Sequence, residues 1–244
     1  MDKRHIQVVG QAESALSGPP SLGIDPRDEA SGQLQLALEK LRELTEGVGM
    51  EQSPAFPREV NERIPLAQGH AELNLSKADP ECVASMARLL ATARCATTSA
   101  KRMWWLNRAA DAVATGHGPH SACSEGCAHC CHIPVALSRP EAEAIAKATG
   151  RAIDPAAKSG ALGERSDHGT PCPFLEYSRC SIYDRRPAVC RSHLNLDVDS
   201  LLCRPVPGAA VPVPYLNVNA IHVARFELLG TAPYADIRDW FPAP

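Results

Sequence analysis

Bulky side chains are scarce in this chain. Aromatic residues fill 5% of its 244 positions, as 3 tryptophans, 4 tyrosines and 4 phenylalanines. The hydrophobic share of 44% is ordinary for a globular protein, but much of it is alanine. Long apolar runs are missing too. The Leu89-Leu90-Ala91 stretch is flanked by Arg88 and Arg94, and nothing approaches the roughly 20 residues that cross a bilayer. No membrane partner is expected. An excess of positive charge is also absent. The formal net charge is −3, whereas a dedicated nucleic-acid binder carries a basic surplus. The Gly-x-Ser-x-Gly elbow, the Gly-x-Gly-x-x-Gly fingerprint and the phosphate-cradling lysine loop do not occur, which removes the commonest hydrolase and nucleotide-binding readings. The apolar stretch near the start ends at Val9, far short of a signal-peptide core. A reducing, cytoplasmic location is the expectation.

What the chain has in plenty is cysteine, and most of it is gathered. Cys123-Ser-Glu-Gly-Cys127-Ala-His-Cys130-Cys131-His132 places four thiols and two imidazoles side by side. A second block carries Cys172 in Cys-Pro-Phe-Leu, Cys180 in Cys-Ser-Ile-Tyr, and Cys190 followed by Arg191. Thiols at such density signify disulfides, a metal or redox chemistry. Disulfides need an oxidising compartment. Adjacent Cys130 and Cys131 also resist pairing, since their Cα atoms lie about 3.8 Å apart across a trans peptide, below the usual disulfide range. Convergent thiolates on a metal explain the density better, and sulfur donors suit zinc and iron–sulfur clusters equally.

At about 100° per residue, Cys123, Cys127, Cys130 and Cys131 share one helical face. Gly126 weakens a regular helix, so a helical turn within a loop is the other geometry. His129 and His132 are candidate ligands, with hydrogen bonding to sulfur the favoured role. Arg185, Arg186 and Arg191 stand beside Cys180 and Cys190, where they would offset thiolate charge or bind an anionic substrate group. Cys82 and Cys95 lie alone in a helical pattern and read as small buried hydrophobes. A Cys131/His132 hydrolase pair is disfavoured, because adjacent side chains rarely form such a pair. The Cys-x3-Cys-x2-Cys spacing also resembles the radical S-adenosylmethionine motif. The long helical or irregular region before it, and the lack of a strand–helix repeat after it, argue against that barrel.

Along the chain, residues 1–28 read as a flexible tail. Leu34, Leu38 and Leu41 mark an amphipathic helix from Glu29 to about Glu46. Ser53–Pro57 is a linker and residues 58–78 are ambiguous. Asp79-Pro80-Glu81 starts a helix expected to run to about Ala114. Its Lys101–Arg108 segment mixes cations with Trp104 and Trp105, indoles expected to pack into a core. Ile133–Leu137 reads as extended, and Ser138-Arg-Pro-Glu141 as a capping box opening a helix to Gly150. Residues 154–171 form a loop. Phe174-Leu175 and Ser181–Tyr183 flank a turn, and Pro187 opens a helical turn. A helix is expected from Tyr215 to Leu229, and the C-terminal Asp236–Phe241 stretch docks on the body.

The patterns Cys-x3-Cys-x2-Cys-Cys, Cys-Pro-Phe-Leu and Cys-x-Ile-Tyr-x-x-Arg-Pro-x-x-Cys-Arg resemble the YkgJ-type cysteine-cluster family of bacterial-type proteins, described as zinc- or iron-chelating. The likeness runs from Cys123 to Arg191 and extends toward Cys203. One relative, the flagellin lysine-N-methylase, is associated with an iron–sulfur cluster and S-adenosylmethionine. The resulting expectation is a mainly α fold with an irregular, loop-rich cysteine-cluster core and a few short strands. A flexible tail and amphipathic helix occupy residues 1–78, and the metal-binding domain spans 79–244 with its core motif at 123–203. Cys123, Cys127, Cys130, Cys131, Cys172, Cys180 and Cys190 are the expected metal ligands, with Cys203 a weaker candidate. Seven thiols exceed one tetrahedral site, so two metals bind, or one cluster binds and the spare thiols are structural or redox-active. The cofactor is an iron–sulfur cluster or iron, with zinc the alternative. The function is redox or transferase chemistry on such a cluster, or a structural zinc module that engages a protein partner.

Overall fold

The computed structural model describes residues 50–157, 170–230 and 234–242. The tail expected over residues 1–28, the helix expected at 29–46 and most of the loop expected at 154–171 lie outside the described residues. Within them the fold is mainly helical with a few short antiparallel strands, as the sequence leads one to expect. The helices in chain order are α1 (Arg58–Ser76), α2 (Pro80–Cys95), α3 (Ser99–His117), α4 (Arg139–Thr149), α5 (Ala188–Ser192), α6 (Asn219–Leu229) and α7 (Ile237–Trp240). The strands are β1 (Ala136–Ser138), β2 (Leu175–Glu176), β3 (Arg179–Cys180) and β4 (Tyr234–Asp236). β1 pairs antiparallel with β4, and β2 with β3.

The helix expected from Asp79 to Ala114 is two helices. Asp79 caps α2 by accepting from the Glu81 amide at 2.9 Å, with Pro80 in the first turn. Ala96 then turns extended, and the Thr98 side chain accepts from the Lys101 amide at 3.3 Å to start α3. A threonine that caps a new helix competes with continuing the old one. α2 and α3 pack together with α6 through Leu90, Ala93, Leu106, Ala109, Ala110, Ile221 and Ala224. Small residues let the helices approach closely. At Gly116 a Cβ would meet the Cys82 Cβ at 2.3 Å, so only glycine fits between α2 and α3 there.

The ambiguous stretch 58–78 is α1, which holds Pro65 inside it. Val60, Ile64 and Ala67 pack on Leu202. Buried Asp197 fastens the helix, with Arg63 Nη1 at 3.1 Å and His70 Nδ1 at 2.7 Å.

A second core gathers Leu137, Ile145, Phe174, Ile182, Ile237, Trp240 and Phe241, with Cys172, Cys180 and Cys190 packed against it. Its frame is the β1–β4 pair, in register Leu137↔Ala235, and α4. Ser138 and Glu141 form the expected capping box, and Gly150 closes α4 with φ 74°. Trp240 Nε1 donates to the Leu137 carbonyl at 3.0 Å, so the C-terminal stretch docks as expected. Glu141 also meets Arg225 of α6 at 2.8 Å, both 3% exposed, which joins the two cores through a buried ion pair.

Two boundaries shift from expectation. Tyr177 and Ser178 both take positive φ (49° and 61°). Such consecutive left-handed residues suit a two-residue hairpin turn, so the strands hug the turn at Leu175–Glu176 and Arg179–Cys180. α6 starts at Asn219 rather than Tyr215: Tyr215 pairs in a bridge with Asn195, and the Leu216 amide donates to the Leu194 carbonyl at 2.9 Å, so this stretch runs extended before the helix.

Candidate metal centre

The first cysteine block follows α3 as an irregular loop. Gly126, with φ 85°, makes the turn between Cys123 and Cys127, a conformation costly for other residues. Cys130 and Cys131 sit on a 3₁₀ turn, His129–His132, so the helical turn within a loop is the geometry found. Cys172 precedes β2, Cys180 ends β3 and Cys190 lies on α5. The blocks are stitched by the Cys172 amide, which donates to the Cys131 carbonyl at 2.7 Å.

Six of the seven candidate thiols, Cys127, Cys130, Cys131, Cys172, Cys180 and Cys190, line one cavity of about 640 Å³. Ile133, Val135, Ile182 and Val189 supply apolar wall, and Arg186, His193 and His222 also face it. Cys123 stands beside this cavity with Cys203. Buried Asn195 serves both sulfurs: its amide donates to Cys123 Sγ at 3.5 Å and its Nδ2 to Cys203 Sγ at 3.3 Å. The structure therefore gathers the seven expected cysteines and the weaker candidate Cys203 into one region.

Arg238 of α7 holds the loops in place. Its Nη2 donates to the Cys131 carbonyl at 3.0 Å and to the Thr170 carbonyl at 2.8 Å. Nη1 donates to the Ile133 carbonyl at 3.1 Å and to Asp236 at 3.0 Å. One guanidinium thus clamps the first cysteine block, the chain leading into the second, and β4.

The Cys130 thiol is pulled down to about 7, chiefly by the hydrogen bond from Cys131, with Arg186 adding. Cys131 is correspondingly pushed up, by that same bond and by burial. Burial raises Cys172, Cys180 and Cys190 as well, and lifts Cys203 to about 12. Buried thiols with raised pKa values stay neutral until a strong cation offsets their charge, and a coordinating metal does that outright. Burial lowers His193 and His222 to about 4, leaving both imidazoles neutral. His193 Nε2 is buried without a hydrogen-bond partner. A sulfur-rich ring with one orphaned imidazole nitrogen fits a thiophilic metal. Among the described residues no three Cys, His, Asp or Glu side chains stand close enough to share one ion; the thiols ring a cavity instead.

Other sequence expectations are settled case by case. Cys82 is buried, 3.5 Å from His117 Nε2, as expected. Cys95 is exposed, a correction: it ends α2 on the outer side, where no core residue covers it. Trp105 packs against the first core, while Trp104 remains 54% exposed. Arg191 turns away from charge compensation to bind Asp111 of α3 at 2.7 Å. His132 Nδ1 sits 3.1 Å from the Ala128 carbonyl. Sequence reasoning missed His193, Asn195, His222 and Arg238. Only His193 carried a signal, the Cys190-x2-His193 spacing, since metal-binding turns often use such short gaps.

Fold and site together define a mainly helical cysteine-cluster domain. Residues 122–205 match the family model described as "CxxCxxCC: Putative zinc- or iron-chelating domain". No curated protein and no solved structure matches the chain. Among the described residues no helix is long and apolar enough to cross a membrane.

Proposed function

We propose that the chain binds an iron–sulfur cluster through Cys127, Cys130, Cys131, Cys172, Cys180 and Cys190, with Cys123 and Cys203 alongside, and uses it in redox or group-transfer chemistry. The supporting observation is the cavity: six thiols around about 640 Å³. A closed structural zinc site takes four ligands at one point. Six sulfurs around a wide space suit a larger inorganic core, and leave room for a small molecule beside it. When bound, the cluster would supply electrons at a potential set by charge and hydrogen bonding. The chain's own residues do the rest. Arg186 offsets thiolate charge, Asn195 donates to two sulfurs, and the apolar wall limits water.

The alternative is a structural zinc module that presents helices to a protein partner. Its support is Trp104, 54% exposed with Arg108 over its ring at 5.8 Å, an aromatic–cation pair of the kind enriched at interfaces. Metal analysis of protein made and kept without oxygen tests the choice. The cluster reading expects brown protein with iron and acid-labile sulfide, bleaching in air. Colourless anaerobic protein with stoichiometric zinc, stable in air, overturns it in favour of the zinc module.

A further inference from the structure

Among the described residues that line the cavity, His193 carries a buried side-chain nitrogen with no hydrogen-bond partner. It follows Cys190 by three residues and ends α5, leaving the helix with φ −81° and ψ 90°. Its position is fixed from both sides. The Leu194 carbonyl accepts from the Leu216 amide at 2.9 Å, and the Asn195 carbonyl accepts from the Ala122 amide at 2.8 Å. The ring lies on Tyr215, with centroids 4.0 Å apart. The side chain lines the cavity, and Nε2 is buried with no hydrogen-bond partner. A buried, unpaired ring nitrogen carries a desolvation cost of roughly 1–3 kcal/mol, and folds rarely keep such a group without a use. The same cavity wall carries Cys190, Cys130 and Cys131, thiols of the kind that ligate metals alongside imidazole.

We propose that His193 is a nitrogen ligand of the bound metal, making the centre a mixed cysteine–histidine site. This rests on the metal-binding reading above, though it holds for iron or zinc alike. An imidazole in place of a thiolate removes one negative charge from the centre. In iron–sulfur chemistry that substitution raises the reduction potential. His193 would thus set the potential of an iron centre, or complete the ligand set of a zinc ion.

The test uses full-length protein isolated without oxygen, with His193→Ala, His193→Cys and His222→Ala variants. If iron is bound, pulsed EPR of the reduced protein shows nitrogen hyperfine coupling. If zinc is bound, K-edge X-ray absorption shows a short shell at about 2.0–2.1 Å beside sulfur at about 2.3 Å. Either nitrogen signature disappears in His193→Ala and persists in His222→Ala. His193→Cys retains the metal with an all-sulfur signature and, for iron, a more negative potential. That rescue separates ligation from folding. An all-sulfur signature in the wild-type protein, or a nitrogen signature that survives His193→Ala, overturns the assignment while leaving metal binding intact. Wild-type protein free of both metals overturns the metal-binding reading, and this assignment with it.

Discussion

Replacing Arg238 by methionine should loosen the cysteine centre from a distance. The substitution keeps an unbranched stem and removes every donor. The guanidinium is 7% exposed and reaches the carbonyls of Cys131, Ile133 and Thr170 together with the Asp236 carboxylate. Removing one partner of a buried ion pair costs about 3–5 kcal/mol, and a hydrogen bond to a charged group contributes about 1.5–3 kcal/mol. These contributions overlap, so the expected loss is about 3–5 kcal/mol, a large share of the roughly 5–15 kcal/mol that holds a domain folded. Urea denaturation of metal-loaded and stripped protein measures it. Because the Cys131 carbonyl also accepts from the Cys172 amide, the loss should be accompanied by extraction of metal by a chelator at least tenfold faster, the order found when groups behind metal ligands are removed. Arg94→Met is the control. Arg94 pairs with Glu227 at 2.8 Å but is 50% exposed, and such pairs contribute about 0–1 kcal/mol. An Arg238→Met protein within about 1 kcal/mol of wild type, with unchanged chelator extraction, would refute the clamp.

Two further outcomes are expected. Cys127→Ser and Cys130→Ser should each lower metal content and melting temperature together, because a site assembled on folding couples the two. Cys95→Ser, at an exposed helix end, should change neither, and equal metal loss in both sets would show the thiols are wrongly divided. In stripped protein, His193 and His222 titrate near 4 in the fold and near 6.5 when unfolded; His222 is also faced by Arg225 and Glu141. The unfolded state then binds more protons, so stability is full above about pH 6.5 and falls as pH drops toward 4. At pH 5 the loss should be on the order of 2–4 kcal/mol; a flat urea midpoint from pH 7.5 to 5 would contradict it.

The sequence announces local features far better than long-range ones. The cysteine blocks are legible because ligand spacing is a local property, and α4 because Ser138 and Glu141 cap it within one turn. The break at Ala96–Thr98 is masked by apolar periodicity that continues on both sides. α1 is hidden by Pro65 and Gly69 inside it, and it gains its place through Asp197, more than a hundred residues away. Cys95 shares a helical stretch with Cys82 but points outward, a difference set by how α2 rolls on α3.

The residues that surround the cysteine cluster belong to that second kind. Asn195 touches Cys123 and Cys203 only because the 193–196 segment is pinned between Ala122 and Leu216. His193 reaches the cavity for the same reason, and Arg238 because Trp240 and Phe241 anchor α7 in the second core. The thiols therefore lie on loops, a 3₁₀ turn and very short elements, while the groups that position them sit on packed helices and a buried segment. Such a division lets one rigid scaffold hold a site of loops. It also implies where damage travels: a lesion in the second core, at Trp240 or Phe241, should reach the metal through Arg238, whereas one on the outer face of α2 should not.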